Sequence, residues 1–487
     1  MAAGPPVGSA VVIPTRWQPI LDEARPLAER FEDAGHRLFL VGGIVRDLLS
    51  ERDASDGDLD FTTDARPDEI KRIAGDWADS LWTLGERFGT IGAIRGNRRF
   101  EITTHRAEAY SPESRKPAVQ FSNDVTDDLS RRDFTVNAMA LEVTGAAPEL
   151  IDPHDGRGDL VNRRLRTPLR PDESFSDDPL RMMRAARFIA GHGLIPDPDL
   201  VAAATSGAAR LEIVSVERVR DELDKLMVVE DPSAGLWYLH DTGLAAMFLP
   251  ELPQMRLEQD PIHRHKDVLA HTIAVVANTR AVVDGVPNLT VRLAALFHDV
   301  GKPKTRSIGG HGVSFHHHEA VGARMTRDRM RTLRYSNEMV ERVTDLVFLH
   351  LRFHTYSMGW TDSAVRRFVR DAGGQLDELI ELTRCDCTTR NQRKADMLSR
   401  RMDELERRIA ELRAQEELAA IRPDLDGRDV IEHLGIAPGR MVGAALAHLL
   451  EARLEHGPIE RERALALLDE WWAGQSTDPT EDEPATG

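Results

Sequence analysis

Short apolar or alternating runs, separated by Gly, Asp and Pro, mark the first part of the chain. They occur at residues 38–43, 59–63, 91–96 and 98–106. Runs of this length and composition indicate β-strands, whereas the apolar residues within 67–81 follow the spacing of a helix. The pattern therefore predicts a mixed α/β domain over residues 26–147, preceded by a loose leader at 1–25.

Beyond Pro179 the apolar residues follow helical spacing. Residues 398–416 combine this spacing with dense charge, which is typical of a long exposed or coiled helix. We therefore expect an α+β protein in which a mixed sheet with helices is followed by helices alone. The expected bounds of the later regions are 148–245, 246–394 and 395–475, with a polar, disordered tail at 476–487.

The composition of the 487 residues narrows the class of protein. Apolar residues make up 41%, which is enough for folded cores and too many for a disordered chain. The net charge of −18 argues against a general DNA-coating protein but leaves room for a local basic site. The sequence has no apolar run of membrane-spanning length and no signal-peptide pattern. Its two cysteines, Cys385 and Cys387, are too close to form a disulfide framework, so we expect a cytoplasmic protein without a membrane contact.

The first candidate binding segment runs from Gly42 through Gly43 and Arg46 to Asp47. It follows an apolar strand and opens a predicted helix. Two glycines let the backbone approach a phosphate closely, and a helix N-terminus favours an anion. Arg46 would add charge-assisted hydrogen bonds to the same phosphates. An ordinary strand–turn–helix connection remains an alternative, because paired glycines are common in turns.

The second segment carries Asp58 and Asp60, which the two-residue period of a strand points to the same side. Two such carboxylates repel each other unless a cation lies between them, and Mg²⁺ prefers oxygen ligands. Two-metal phosphoryl transfer uses this arrangement. Glu101, in the strand at 98–106, is the candidate third catalytic carboxylate. A solvated acidic turn and an exposed strand glutamate are the alternatives.

The third segment is an arginine pair, Arg131 and Arg132, before a predicted helix that carries Asp133 and Asn137 at i, i+4. Arginine can grip a triphosphate through two nitrogens at once. The Asp and Asn would hold neighbouring loops in place. A capped surface helix gives the same pattern.

Taken together and in this order, the three segments resemble the superfamily of class II tRNA nucleotidyltransferases (CCA-adding enzymes) and bacterial poly(A) polymerases. Residues 151–160 resemble the flexible motif that follows the palm domain of this family, and residues 216–223 resemble its neck-stabilising helix. The similarity extends over about residues 36–230. It implies a nucleotidyltransferase palm followed by an all-α neck, with Mg²⁺ at Asp58 and Asp60.

The segment with Asp178, Arg181, Arg184 and Arg187 resembles the base-reading helix of the family. Its spacing keeps the four side chains near one face. Aspartate accepts from an exocyclic amine, and arginine donates to a neighbouring acceptor; cytosine and adenine offer that pair, whereas uracil and guanine do not. The resemblance implies that Asp178 and Arg181 choose CTP or ATP without a template, and that Arg184 and Arg187 contact the nucleotide or its phosphates. A surface helix with ion pairs is the alternative, and Asp177 stands where the family usually has Glu.

A second group of chemically active residues lies in the helical part. His271, the adjacent pair His298 and Asp299, and the distant Asp386 resemble the HD metal-dependent phosphohydrolase domain. Histidine and aspartate suit Mg²⁺ or a divalent transition metal such as Mn, Ni, Fe or Zn. Further candidate ligands of a multinuclear site are His318 and the i, i+4 pair His350 and His354.

The resemblance implies an enzyme that adds CMP and AMP to the 3′ end of tRNA from CTP and ATP, releasing pyrophosphate. Residues 157–187 hold eight arginines against five acids, a local excess of positive charge that suits a tRNA acceptor end. Three other functions stay open: a poly(A) polymerase, an enzyme that adds only CC or only A, and an HD-type hydrolase of 2′,3′-cyclic or 2′-phosphates on RNA.

Overall fold

The computed structural model of the chain describes residues 14–50, 57–109, 118–257, 267–309, 312–355, 360–387, 392–416 and 421–475. The chain divides into two compact units, Met1–Pro250 and Glu251–Gly487. The tail expected at 476–487 lies outside the described residues.

A mixed sheet forms the centre of the first unit. The strands of the unit are β1 (Leu38–Val41), β2 (Leu59–Thr63), β3 (Ser80–Trp82), β4 (Thr90–Arg95), β5 (Arg98–Thr104), β6 (Arg106–Ala109), β7 (Ala118–Phe121), β8 (Ala140–Glu142), β9 (Glu149–Ile151), β10 (Arg164–Leu165) and β11 (Ile195–Pro196). Seven of them form one sheet in the order β3-β4-β5-β2-β1-β8-β9. Only β2 and β5 run parallel in this sheet; the other neighbours are antiparallel.

Helices cover the sheet and then continue alone. They are α1 (Gln18–Asp33), α2 (Gly43–Leu49), α3 (Pro67–Ala74), α4 (Val125–Ser130), α5 (Gly156–Val161), α6 (Pro171–Asp177), α7 (Leu180–His192), α8 (Pro198–Gly207), α9 (Val216–Met227), α10 (Ser233–Asp241) and α11 (Leu244–Phe248). Strand β1 is buried on both faces: Leu38 and Leu40 belong to the cluster that includes α1 and α3, and Phe39 and Val41 to a cluster with α4.

The predicted leader is wrong for residues 14–25. Helix α1 begins at Gln18, and Trp17, Ile20 and Leu21 are buried in the same core as the sheet. Their spacing is helical, and Pro19 stands in the first turn, where proline is compatible with a helix start. This part of the chain is therefore one layer of the first unit.

The second unit is mainly helical. Its helices are α12 (Glu251–Gln254), α13 (Val268–Asn278), α14 (Leu289–Phe297), α15 (Lys302–Thr305), α16 (His318–Thr332), α17 (Asn337–Leu349), α18 (Asp362–Ala372), α19 (Leu376–Asp386), α20 (Gln392–Gln415), α21 (Gly427–Leu434), α22 (Arg440–His456) and α23 (Arg461–Gln475). The expected long charged helix is α20. Its apolar stripe is buried, and the charged residues lie on the remaining faces of the helix.

Two short hairpins interrupt the helices of the second unit. They are β12 (Val282–Val283) with β13 (Val286–Pro287), and β14 (Arg306–Gly309) with β15 (Gly312–Phe315). Strands of two to four residues are too short to give a readable alternation in the sequence. The α+β expectation is confirmed, with these hairpins as additions. Within the described ranges, no helix has the length and apolar character that a membrane span requires.

Candidate functional site

The turn after β1 brings the first three sequence segments together. Gly42 has φ +75°, a conformation that favours glycine. A Cβ at Gly42 would lie 3.2 Å from Nη1 of Arg132 and 3.8 Å from Oδ2 of Asp60. The bare backbone at this position therefore leaves space in which a cation from the third segment and a carboxylate from the second stand side by side.

Three carboxylates lie on one open face of the sheet. Asp60 of β2 is in register with Glu101 of the parallel strand β5, and Asp58 precedes β2 by one residue. Desolvation by the surrounding protein, together with Glu101 and Asp58, raises the pKa of Asp60 to about 6, whereas Arg132 acts in the opposite direction. Burial is the larger cause of this shift, and the negative charge of the neighbouring carboxylates adds to it. A divalent cation with oxygen ligands fits this donor set.

The two arginines expected to bind phosphate have carboxylate or amide partners within the protein. Arg46 is buried and donates to Oδ1 of Asn137 over 2.7 Å and to Asp47 over 3.0 and 3.1 Å. Arg132 donates to Asp128 over 3.1 Å. These bonds fix both guanidinium groups near the turn at Gly42.

The helix predicted after the arginine pair is wrong. Helix α4 ends at Ser130, before the pair, and Thr135–Asn137 is a single 3₁₀ turn. Asp133 accepts from the backbone N–H of Phe134 over 2.9 Å, a local bond that competes with helix formation. Asn137 still donates to Asp133 over 3.0 Å, so the expected contact between the two side chains is present without the helix.

Asp178 lies between two helices and not on the helix that the sequence predicted to read the base. Helix α6 ends at Asp177 and α7 begins at Leu180. Pro179 disfavours the helical conformation in the residue before it, and Asp178 is accordingly extended, with φ −138° and ψ 100°. Its Oδ1 accepts from the N–H of Leu180 over 3.2 Å, and its Oδ2 accepts from Arg218 over 3.0 Å.

The arginines of α7 also have partners within the protein. Arg181 donates to Oγ of Ser174 over 2.8 Å and to the carbonyl oxygen of Arg131. Arg184 donates to Asp133 over 2.8 and 2.5 Å. Arg187 donates to Glu222 over 2.9 Å, and Glu222 is 3% exposed. Contact of Arg184 and Arg187 with a nucleotide therefore stays a prediction.

The second unit brings the HD-type residues together in two groups. In the first group, Nε2 of His271 lies 2.9 Å from Oδ1 of Asp386 and 3.3 Å from Nε2 of His298. In the second group, Nε2 of His318 lies 3.4 Å from Oδ1 of Asp299, and His350 completes the group. The candidate ligand atoms within each group lie within 4.8 Å of one another, and five of the six residues are buried.

The imidazole rings of the two groups are oriented for ligation. Nδ1 of His298 lies 2.7 Å from the carbonyl of Ala295, Nδ1 of His318 lies 2.7 Å from that of Phe315, and Nδ1 of His350 lies 2.6 Å from that of Val347. A proton on Nδ1 leaves the lone pair of Nε2 available to a metal. Burial and the neighbouring His298 lower the pKa of His350 to about 4, which keeps its ring neutral.

Several ligand atoms of the second group have no hydrogen-bond partner among the described residues. They are Oδ1 of Asp299, Nε2 of His318 and Nε2 of His350. Buried polar atoms are normally paired, so a group that converges without partners suits a bound ion. A divalent transition metal fits this mixture of imidazole and carboxylate.

The prediction that His354 shares a helix face with His350 is wrong. Helix α17 ends at Leu349, and His354 lies in the 3₁₀ turn Arg352–Thr355. It is exposed and belongs to neither group. The i, i+4 relation places two side chains together only while the helix continues.

Sequence reasoning missed the residues that hold the site in place. Asp128 is spaced i, i+4 from Arg132 and could have been found from that spacing. Ser174, Arg218 and Glu222 contact residues that lie 7 to 40 positions away, and no local pattern indicates those contacts.

Three known protein families match the chain in order. The poly A polymerase head domain matches residues 38–166, the probable RNA and SrmB-binding site of polymerase A matches 193–255, and the HD domain matches 268–411. The fold and the carboxylate face thus define a nucleotidyltransferase with an HD domain after it.

A relative of nearly full length identifies the family more closely. The A-adding tRNA nucleotidyltransferase of Deinococcus radiodurans is 33% identical over 447 residues, which cover 89% of this chain and 95% of that protein. The chain belongs to the tRNA nucleotidyltransferase family, and enzymes of this family use a divalent metal ion.

Other relatives cover less of the chain or share only the fold. A CCA-adding enzyme of Streptococcus gordonii is 39% identical over 250 residues, which are 51% of this chain and 59% of that protein. The solved structure of the Bacillus stearothermophilus CCA-adding enzyme in complex with CTP has a TM-score of 0.68 at 24% identity, covering 95% of this chain and 99% of that one. This structural likeness shows a common fold.

Proposed function

We propose that the enzyme adds C, C and A to the 3′ end of tRNA, taking CTP and ATP as substrates and releasing pyrophosphate. The observation that supports this most strongly is the register of Asp60 with Glu101, beside Asp58 and next to Arg132 at the Gly42 turn. This face offers oxygen ligands for metal ions and a cation for a triphosphate. Phosphoryl transfer needs little more than such positioning and charge.

In this proposal Asp58 and Asp60 bind Mg²⁺, with Glu101 as the third carboxylate. The metal ions activate the RNA 3′-hydroxyl and stabilise the triphosphate. The phosphates are bound by the turn at Gly42 and Gly43 and by its arginines, and the base is chosen by the pair at the start of α7. The residues with these last two roles are Arg46 and Arg132 for the phosphates, and Asp178 and Arg181 for the base.

A second candidate function is addition of the terminal A alone. It is favoured by the relative that aligns over most of both chains, whose name is A-adding tRNA nucleotidyltransferase. Shorter alignments reach proteins named CCA-adding enzymes, at 37–39% identity. Either function would use the site residues considered above, so the test must compare substrates.

Extension of three tRNA transcripts tests these functions. The transcripts end before CCA, after C and after CC, and labelled CTP or ATP is supplied singly and together with Mg²⁺. We expect C to be added to the first two ends and A to the third. Growth of the third end alone would make this an A-adding enzyme, and long A tails on every end would make it a poly(A) polymerase.

We also propose that the HD domain is a metal-dependent phosphohydrolase acting on 2′,3′-cyclic or 2′-phosphates of RNA ends. Its support is the convergence of three ligand atoms, Nε2 of His318, Nε2 of His350 and Oδ1 of Asp299, which have no hydrogen-bond partners among the described residues. The tests are conversion of 2′,3′-cyclic AMP to 2′- or 3′-AMP and release of phosphate from 2′-AMP, each with added Ni²⁺ or Mn²⁺. Neither reaction with either metal, in protein that has taken up the metal, would contradict this second activity.

The finer division of the chain also remains a proposal. It separates a palm at 26–147, a neck at 148–245, an HD domain at 246–394 and a helical region at 395–475. The cytoplasmic location expected from the sequence likewise stays a prediction.

A further inference from the structure

The base-reading pair is held in part by Ser174 and Arg218, which have no assigned part in the reaction. Arg181 donates from Nη1 to Oγ of Ser174 over 2.8 Å and from Nη2 to the carbonyl oxygen of Arg131. Arg218 donates to Oδ2 of Asp178 over 3.0 Å. Each member of the pair is thus tied to a different element: Arg181 to α6 and to the loop after α4, and Asp178 to α9.

The support of Arg181 is buried and specific. Ser174 is 2% exposed, and its hydroxyl is within 2.8 Å of one terminal nitrogen of the guanidinium. Nη1 also donates to the carbonyl oxygen of Ser174 over 3.4 Å, so both of its N–H groups have acceptors there. Nη2 carries two N–H groups, so its bond to Arg131 leaves one of them for a base. Rotation of the guanidinium would break both supporting bonds at once.

The support of Asp178 fixes the other half of the pair. Its Oδ1 is used by the N–H of Leu180 and its Oδ2 by Arg218. A carboxylate oxygen has two acceptor sites, so Oδ2 can accept a second hydrogen bond while Arg218 is bound. Arg218 therefore orients Asp178 and leaves it able to accept an amine.

Selection between bases depends on this fixed geometry. Uracil and guanine place a carbonyl oxygen where cytosine and adenine have an amine, and an N–H where those bases have an acceptor. Against a rigid pair, the wrong base leaves the carboxylate facing an oxygen and the guanidinium facing a donor, both unpaired. A pair that is free to turn could present the guanidinium to the carbonyl oxygen instead.

We propose that Ser174 and Arg218 are positioning residues that set the selection of CTP over UTP and of ATP over GTP. This inference rests on the proposed nucleotide addition and on Asp178 and Arg181 as its base readers. A purely structural role would lower the use of every nucleotide alike. A positioning role lowers the ratio between right and wrong bases.

The test measures kcat/KM for CTP and UTP on a tRNA end lacking CCA, and for ATP and GTP on an end after CC. Ser174→Ala and Arg218→Gln should each lower the ratio of correct to incorrect nucleotide by about tenfold, the effect of losing one charge-assisted hydrogen bond. The loss should fall mainly on KM for the correct nucleotide. Arg218→Lys, which can still donate to Asp178, should restore most of the ratio.

Arg210→Gln is the matched control. Arg210 also binds α6, through the carbonyl oxygen of Ser176 over 3.0 Å, but the structure gives it no bond to either base reader. It should keep the wild-type ratio. If wild-type enzyme selects the correct nucleotide and the Ser174→Ala and Arg218→Gln variants select it equally well, this inference is overturned and the proposed function stays intact. Wild-type enzyme that adds neither C nor A to any end would overturn both.

Discussion

Gly42 shows how one backbone conformation controls the site at the scale of a residue. Gly42→Ala should lower the free energy of unfolding by about 1–2 kcal/mol, the cost of a left-handed conformation for a residue with a Cβ. It should also lower nucleotide addition by about tenfold, because the new Cβ would lie 3.2 Å from Nη1 of Arg132 and shift that guanidinium away from the carboxylates. Denaturant unfolding and the tRNA extension assay measure the two effects.

Gly35 offers a matched control for this prediction. It has φ +79°, close to the +75° of Gly42, and a Cβ there would meet nothing within 4 Å. Gly35→Ala should therefore lower the free energy of unfolding, because its φ is also positive, while keeping full activity. Equal activity of the two variants would mean that the space at Gly42 has no part in catalysis.

The carboxylates give a second prediction at this scale. Asp60→Asn removes a proposed metal ligand while keeping the shape of the side chain, so the fold should persist. Nucleotide addition should fall on the order of 1,000-fold, since a metal ion contributes several kcal/mol to the transition state. Activity within tenfold of wild type, in protein with a wild-type circular dichroism spectrum, would rule out Asp60 as an essential ligand.

Some of these residues could be predicted from the sequence and others could not. Asp58 and Asp60 have a two-residue spacing that fixes their common face once a strand is assumed. Arg218 meets Asp178 across 40 positions, and that contact depends on how α9 packs beside the start of α7. Local spacing carries no information about such a contact.

At the scale of elements, a chain of buried and half-buried charged side chains joins the loop before the 3₁₀ turn, α7 and α9. Asp133 binds Arg184, which lies 3.6 Å from Glu222, and Glu222 binds Arg187. Asp133→Asn should lower the free energy of unfolding by about 2 kcal/mol, less than for a fully buried pair because Arg184 keeps Glu222 as a partner. Urea unfolding at pH 7 measures this loss.

The same chain predicts how stability depends on pH. Although burial opposes ionisation, Arg184 and hydrogen bonds lower the pKa of Asp133, and Arg187 and Arg184 lower that of Glu222. A lowered pKa stabilises the folded state above the ordinary carboxyl range, and this contribution is lost as the pH falls below about 4. Between pH 5 and 3 the free energy of unfolding of Asp133→Asn should therefore fall by less than that of wild type. An unchanged acid dependence would contradict this account.

Three of the incorrect predictions share a physical cause, which is that helical spacing does not show where a helix ends. Helix α6 ends before Pro179, and α17 ends before His350. The residues after Asp133 form only a single 3₁₀ turn. Each of these segments has helical spacing in the sequence. Periodicity identifies which residues share a face but not where a helix ends. Longer elements such as α20 were predicted correctly because their stripe extends over many turns.

At the scale of the whole molecule, the two units carry separate candidate sites. His298→Ala should remove divalent metal from the HD groups and abolish any phosphate release, while tRNA extension stays near wild type. Asp60→Asn should lower tRNA extension while leaving the metal of the HD groups and any phosphate release near wild type. Metal content by inductively coupled plasma mass spectrometry and the two activity assays give this comparison. Loss of tRNA extension in folded His298→Ala protein would show that the sites are coupled.

The central claim is tested most directly by the mass of one tRNA product. A transcript lacking CCA is incubated with the enzyme, Mg²⁺, CTP and ATP, and the molecular mass of the product is measured by mass spectrometry. The account predicts a single product that has gained two C residues and one A and grows no further. A transcript that gains no C, or that gains a long run of A, would contradict it.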